Sequence, residues 1–327
     1  MNNIGSTNEP ILVIGSSSLT FSLVICLLRA GHPVTLYTRE EAVAMKKIKT
    51  HWDDLYGHPS SNISNQPDFK IITQLSVPLD EKLVITLTRE DLAEKKDILR
   101  EIEKWLPLDA IITINTESIP LHTLQQEAQH KERILGANWV EPVHTTYFLE
   151  IITNEHTSEA CTKEFYVRAK EDWQKDPYVL TNGLGIRSRM MCAMLREAFY
   201  LIKEGYVTPQ DIDRACRNDP GYYFPFAGNF RYMDLMGSYI YGMVMQDLNP
   251  DLSQDREVPD FFDEMIEKGH AGMKHGQGFF TYEEGEVERW QSLFQKFSYQ
   301  IQEIIEKYPF KYLEEEPVSK TRKTTGI

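Results

Sequence analysis

Residues 11–39, ILVIGSSSLTFSLVICLLRAGHPVTLYTR, decide the fold. The apolar run Ile11–Ile14 leads into GSSSLT, then into the amphipathic FSLVICLLRAGH, then into PVTLY, which is rich in β-formers. Strand, tight turn, helix and strand make a βαβ unit. Gly31 falls where a helix C-terminal cap is expected. Working outward, residues 39–56 read as a helix and Ser60–Pro67 as a polar loop. Strands follow at Phe69–Thr73, Lys82–Thr88, Ala110–Asn115 and Ile134–Trp139, with helical patterns at Asp91–Trp105 and Leu121–His130 between them. This alternation predicts a doubly wound α/β domain over residues 1–181.

After residue 181 the strand signal stops. Arg187–Gly205 reads as a long amphipathic helix, and Thr208-Pro209-Gln210-Asp211 opens another with proline at its first position. Helices are expected at 230–246, 258–269 and 286–307, the last with Trp290, Leu293, Phe294, Phe297, Ile301, Ile304 and Ile305 along one face. An all-helical domain is therefore expected over 182–312, then a mobile tail over 313–327.

Composition narrows the function classes. The 327 residues include 35 Lys+Arg against 49 Asp+Glu, a net charge of −14, which offers little to a phosphate backbone and argues against nucleic-acid binding. The most apolar stretches fall well short of the ~20 residues a spanning helix needs, so no membrane partner is expected. Cys26, Cys161, Cys192 and Cys216 are scattered without a C-x-x-C pair, which argues for free thiols and against a metal site. The opening MNNIGSTNEP lacks the marks of a signal peptide, and a cytoplasmic location is expected.

In a dinucleotide fold the pyrophosphate lies over the first strand–helix turn, at a G-x-G-x-x-G fingerprint. The six positions here are Gly15, Ser16, Ser17, Ser18, Leu19 and Thr20. Ser17 puts a Cβ where the backbone should approach the pyrophosphate, and Thr20 adds bulk at the packing position. The helix N-terminus still offers N–H groups to an anion. A βαβ unit that packs and binds nothing remains the rival reading, and dinucleotide binding is expected to be weak or lost. The second strand ends in Thr38-Arg39 rather than in an acid. An acid there would bond the ribose 2′-OH of NAD, whereas arginine suits the 2′-phosphate of NADP. Arg39 thus favours NADP, unless it is a plain surface residue.

Several segments carry a resemblance to the L-3-hydroxyacyl-CoA dehydrogenase family, including its 3-hydroxybutyryl-CoA dehydrogenase relatives, over about residues 10–282. GANWVEPVHTTYFLEII is similar to the family's G-x-H-F-F-N-P stretch, TPQDIDRA and FPFAGNFRYMDLMG to its C-terminal domain pattern, and KGHAGMKHGQGFFTY to its closing glycine-rich motif. The resemblance implies a Rossmann-like domain followed by a helical domain that forms a homodimer. It also implies a fatty-acid-type oxidoreductase reaction between NAD or NADP and a small substrate such as an acyl-CoA. Besides the loop, it points to Glu90, Lys95 and Asn115 as cofactor contacts, and to Lys46, Lys47 and Lys49 as the helix face that would meet CoA phosphates, with an ordinary solvated face as the rival reading of those lysines.

Four side chains carry the family chemistry, and one is retained. The substrate-binding serine becomes Glu117, the general-base histidine becomes Asn138, and the asparagine of the C-terminal domain aligns loosely with Ser188. The glutamate that orients the base is present as Glu150, twelve residues after position 138. An amide cannot take the proton released as hydride leaves, a step worth roughly 10²–10⁴-fold. His144 and Glu141 are candidate replacements; as a rival, His144 is an ordinary loop histidine at the surface. Two functions follow from the resemblance. One is an oxidoreductase of altered or impaired chemistry acting on a 3-hydroxyacyl thioester or related hydroxy acid. The other is a catalytically silent member that binds nucleotide, acyl-CoA or a partner.

Overall fold

The structure is a computed structural model and describes residues 9–56, 68–75 and 79–309. The loop expected at Ser60–Pro67 and the tail expected over 313–327 lie outside the described residues. Contacts divide the chain into two compact units, with the change at Ile186–Arg187.

The first unit is built on one eight-stranded sheet. Its strands are β1 (Ile11–Gly15), β2 (Val34–Tyr37), β3 (Phe69–Ile72), β4 (Leu83–Leu87), β5 (Ile111–Ile114), β6 (Ile134–Trp139), β7 (Phe148–Ile152) and β8 (Asp176–Leu180), in the order β3-β2-β1-β4-β5-β6-β7-β8. All pairs are parallel except β6–β7. The change of direction between β1 and β4 is the topological switch point, where such sheets open a crevice at their carboxyl ends. The central strands are apolar throughout because helices cover both faces. Along β1, Ile11 and Val13 join one buried cluster with α1 (Ser18–Arg29), α2 (Glu41–Tyr56) and α5 (Glu159–Glu171). Leu12 and Ile14 join the opposite cluster with α3 (Leu92–Glu103) and α4 (Leu121–Leu124).

Three differences from the sequence expectation stand out. The helix expected over Leu121–His130 ends at Leu124. Strands β7 and β8 and helix α5 were not anticipated, although LEII and PYVL are short β-rich runs. In the second unit, α8 spans Pro220–Met236 as two helices joined at a kink at Gly228, so a helix does start near 230 as expected, but an unexpected one with Pro225 inside precedes it, and the run expected as one helix over 230–246 breaks at Gly237. The aromatic run at 222–226 is therefore helical, and Tyr223 stacks on Tyr232 with ring centroids 3.9 Å apart.

The second unit contains α6 (Arg187–Lys203), α7 (Pro209–Asn218), α8, α9 (Ser238–Leu248), α10 (Asp260–Glu267) and α11 (Glu286–Lys307). Thr208 caps α7 through a reciprocal capping box with Asp211, with Pro209 at the first turn, as its sequence predicts.

Candidate active site

At the end of β1, Gly15 is required by close approach: a Cβ there would lie 2.5 Å from the Leu87 carbonyl oxygen and 2.5 Å from Thr20 Oγ1. Ser17 caps α1, its Oγ accepting from the Thr20 N–H at 3.2 Å, while Thr20 Oγ1 accepts from the Ser17 N–H at 3.4 Å. The two residues that replace glycines thus bond one another and occupy two of the donors at this helix start. The Ser18 and Leu19 N–H groups meet no acceptor among the described residues. They remain available to an anion, as the positive end of a helix dipole requires. Ser16 Oγ bonds Thr38 Oγ1 at 2.7 Å, tying the loop to the end of β2, and Arg39 beside it is exposed. The chain therefore keeps the tight turn at Gly15 and two open donors for a diphosphate, while Ser17 and Thr20 fill the positions of the other two glycines.

Asn138 and Glu150 are direct partners across the antiparallel β6–β7 pair, which explains their spacing of twelve. Both are buried. Asn138 Nδ2 donates to Glu150 Oε2 at 2.9 Å and to the Thr116 carbonyl at 2.7 Å, and its Oδ1 accepts from the Thr116 N–H at 2.8 Å. The other oxygen of Glu150 accepts from the Tyr178 hydroxyl at 2.9 Å and from the Ile186 N–H at 2.8 Å. Tyr178 faces Glu150 across β7–β8. A carboxylate can be buried only when donors replace its water, and here β6, β8 and the chain after β8 supply them. Gly185 is part of this packing, since a Cβ on it would sit 2.4 Å from Glu150 Oε2.

A second polar cluster lies past the ends of β4 and β5. Glu90 Oε1 accepts from the N–H groups of Glu117, Ser118 and Ile119 at 2.9, 2.8 and 3.0 Å. Burial works to raise the Glu90 carboxyl, but these donors and Lys95 outweigh it and hold the group below its usual range. Lys95 is fully buried and donates to the Asn115 carbonyl at 2.7 Å and to Asn115 Oδ1 at 3.0 Å, with Glu90 Oε2 at 3.4 Å. Burial lowers the Lys95 ammonium, against the pull of Glu90. The Asn115 amide bridges to Thr88, donating to its carbonyl and accepting from its N–H. Glu90, Lys95, Asn115 and Glu117 are thus brought together on one rim of the crevice.

His144 lies elsewhere. It is 4% exposed, so it is no surface residue, and its ring packs edge-on against His51 of α2 with centroids 5.3 Å apart. Burial, and next the neighbouring His51, push its imidazole down to about 3. Glu141 reaches instead to α1, where its Oε1 accepts from Ser18 Oγ. Ser188 is the second residue of α6, in the helical unit. Lys46, Lys47 and Lys49 lie on α2. Thr116, Tyr178, Gly185, Ser18 and His51 were not singled out by sequence reasoning. Only Tyr178 carried a signal, as the aromatic of a short β-rich run. Among the described residues no cluster of His, Cys, Asp or Glu could hold a metal ion, and no helix is long and apolar enough to cross a membrane.

This strand order, with an anion-ready helix at its switch point, defines a Rossmann-type dinucleotide-binding protein. Residues 10–182 match the 3-hydroxyacyl-CoA dehydrogenase NAD binding domain, and residues 186–282 match the C-terminal domain of the same enzymes. The chain belongs to the 3-hydroxyacyl-CoA dehydrogenase family, a family of NAD-dependent oxidoreductases. It is 29% identical over 201 residues to 5-formyl-3-hydroxy-2-methylpyridine 4-carboxylate 5-dehydrogenase of Mesorhizobium japonicum, covering 61% of this chain and 65% of that one. It is also 29% identical over 201 residues to the fatty acid oxidation complex subunit alpha of Vibrio vulnificus, covering 61% of this chain and 28% of that one. A solved structure of a 5-formyl-3-hydroxy-2-methylpyridine 4-carboxylic acid 5-dehydrogenase, described as an NAD+ dependent dismutase, superposes with a TM-score of 0.81 at 25% identity, covering 92% of this chain and 99% of that one.

Proposed function

We propose that this protein binds NAD(P) at the α1 turn and that its hydride chemistry on a hydroxy substrate is slow, because position 138 supplies no base. The observation that carries the reading is the closed state of Asn138, whose amide is bonded at both ends to Thr116 and to Glu150. Bound there, a nicotinamide would supply the hydride acceptor or donor. The Ser18 and Leu19 N–H groups would hold the diphosphate, and Thr38 and Arg39 would face the adenosine ribose. Removal of the hydroxyl proton would fall to a side chain. Asn138 cannot take it, and Glu150 already accepts from Asn138, Tyr178 and the Ile186 N–H. With a base missing, the rate should lie roughly 10²–10⁴-fold below that of an intact site.

The substrate class in this reading is a 3-hydroxyacyl thioester or a smaller hydroxy acid. The second option is supported by the relative with the 0.81 TM-score, whose name carries a pyridine carboxylic acid rather than a thioester. A domain boundary at 181–182, with the helical domain reaching 312 and a tail beyond it, a cytoplasmic location and a homodimer formed through the helical domain complete the proposal. The alternative of a silent binding member shares the same observation at Asn138.

Calorimetric titration with NADH and NADPH, followed by steady-state reduction of acetoacetyl-CoA, tests the reading. Weak dinucleotide binding with barely measurable turnover is expected. Robust turnover by the natural chain would overturn the lost-base reading, and binding without any turnover would favour the silent member. In the same titration NADPH should bind more tightly than NADH, and Arg39→Ala should abolish the difference; an unchanged ratio would make Arg39 a surface residue only.

A further inference from the structure

The family's asparagine after the catalytic position is replaced by Glu141, and the structure shows where that carboxylate goes. The 141–143 segment is fastened to one face of α1 at two points a turn apart. Ser18 Oγ donates to Glu141 Oε1, and the Val143 N–H donates to Ser22 Oγ at 3.1 Å. The position of Glu141 is therefore set by these two hydrogen bonds. Its carboxylate lies on the first residue of the helix whose Ser18 and Leu19 N–H groups are open. Among the described residues no lysine or arginine pairs with Glu141. The nearby His51 is held toward its neutral form by burial. The site thus already holds a carboxylate at the helix end that favours negative charge.

We propose that Glu141 is a specificity-determining residue of the dinucleotide site: held on Ser18 at the start of α1, its carboxylate opposes the ligand's diphosphate and weakens the binding of any ligand that carries one. The inference rests on the dinucleotide reading above. A carboxylate and a diphosphate competing for one helix end repel one another. The diphosphate seats only as the carboxylate turns away from Ser18 and forfeits that hydrogen bond. A ligand without phosphate meets neither cost.

The test is calorimetry on the full chain with NADH, ADP-ribose and uncharged adenosine. Glu141→Gln keeps an acceptor for the Ser18 hydroxyl and removes the charge. It should bind NADH and ADP-ribose at least tenfold more tightly, about 1.4 kcal/mol, with adenosine affinity unchanged. Glu141→Asp retains the charge and should stay weak. Ser18→Ala frees the carboxylate to swing away and should give a smaller gain. Equal NADH affinity in the natural chain and Glu141→Gln would overturn the proposal while leaving dinucleotide binding intact. Weaker NADH binding by Glu141→Gln would overturn it as well, and would make Glu141 a ribose contact. Failure of every form to bind NADH and NADPH would overturn the dinucleotide reading and this inference together.

Discussion

At the scale of single residues, Asn138 is a buried structural link. Its amide joins the Thr116 backbone to Glu150, so truncation leaves a buried N–H, a buried carbonyl and a carboxylate oxygen short of partners. Asn138→Ala should cost about 3 kcal/mol in urea unfolding. In the proposed reading, Asn138→His regains Glu150 as an orienting partner but still has Glu117 where the resemblance implies a hydroxyl. A carboxylate there repels the charge that develops on the substrate oxygen. Asn138→His with Glu117→Ser should therefore gain more acetoacetyl-CoA reductase activity than the sum of the single changes. Strict additivity would separate the two positions. His144 makes a different prediction. Its folded pKa of about 3 lies below the unfolded value near 6.5, so the unfolded chain binds more protons between the two. Its contribution is fully present above about pH 6.5 and is lost as the pH falls toward 3, the loss reaching roughly 2 kcal/mol by pH 5. His144→Leu should flatten the fall in unfolding free energy between pH 7 and pH 5, whereas an unchanged slope would assign the effect to other groups.

At the scale of elements, α1 combines two demands that conflict. The Ser17–Thr20 box stabilises the helix start, and the same side chains occupy donors and space that glycines would leave to a pyrophosphate. Ser17→Gly with Thr20→Gly should tighten NADH binding while lowering stability by about 1 kcal/mol. Calorimetry beside thermal unfolding reads both, and tighter binding without a stability loss would contradict the capping account. The β6–β7 pair shows how much of the site was legible. The twelve-residue spacing of Asn138 and Glu150 was visible, and the antiparallel register explains it. The third strand of that ladder, β8, was missed. Its run DPYVL is only five residues long and carries a proline, so its strand signal is short, and Tyr178 went unnoticed with it.

At the scale of the whole molecule, the helical unit leaves large apolar side chains in contact with solvent, including Phe230 at 77% and Tyr239 at 78% exposure. Monomeric proteins rarely present so much. Together with the family resemblance this predicts a homodimer, and light scattering at micromolar concentration should return twice the chain mass; a single-chain mass would refute it.

The sequence by itself determined the class of fold, the family and the absence of a base at position 138. Those features are carried by local periodicity and by short motifs, which a chain displays without being folded. Only the tertiary structure decided what the altered residues do. The 123 positions between Ser18 and Glu141, the closure of Asn138 on Thr116 and the burial of His144 against His51 depend on strand order and on helices packed over the sheet. Contacts of that separation follow from the burial of both sheet faces as one cooperative unit, and no local pattern announces them.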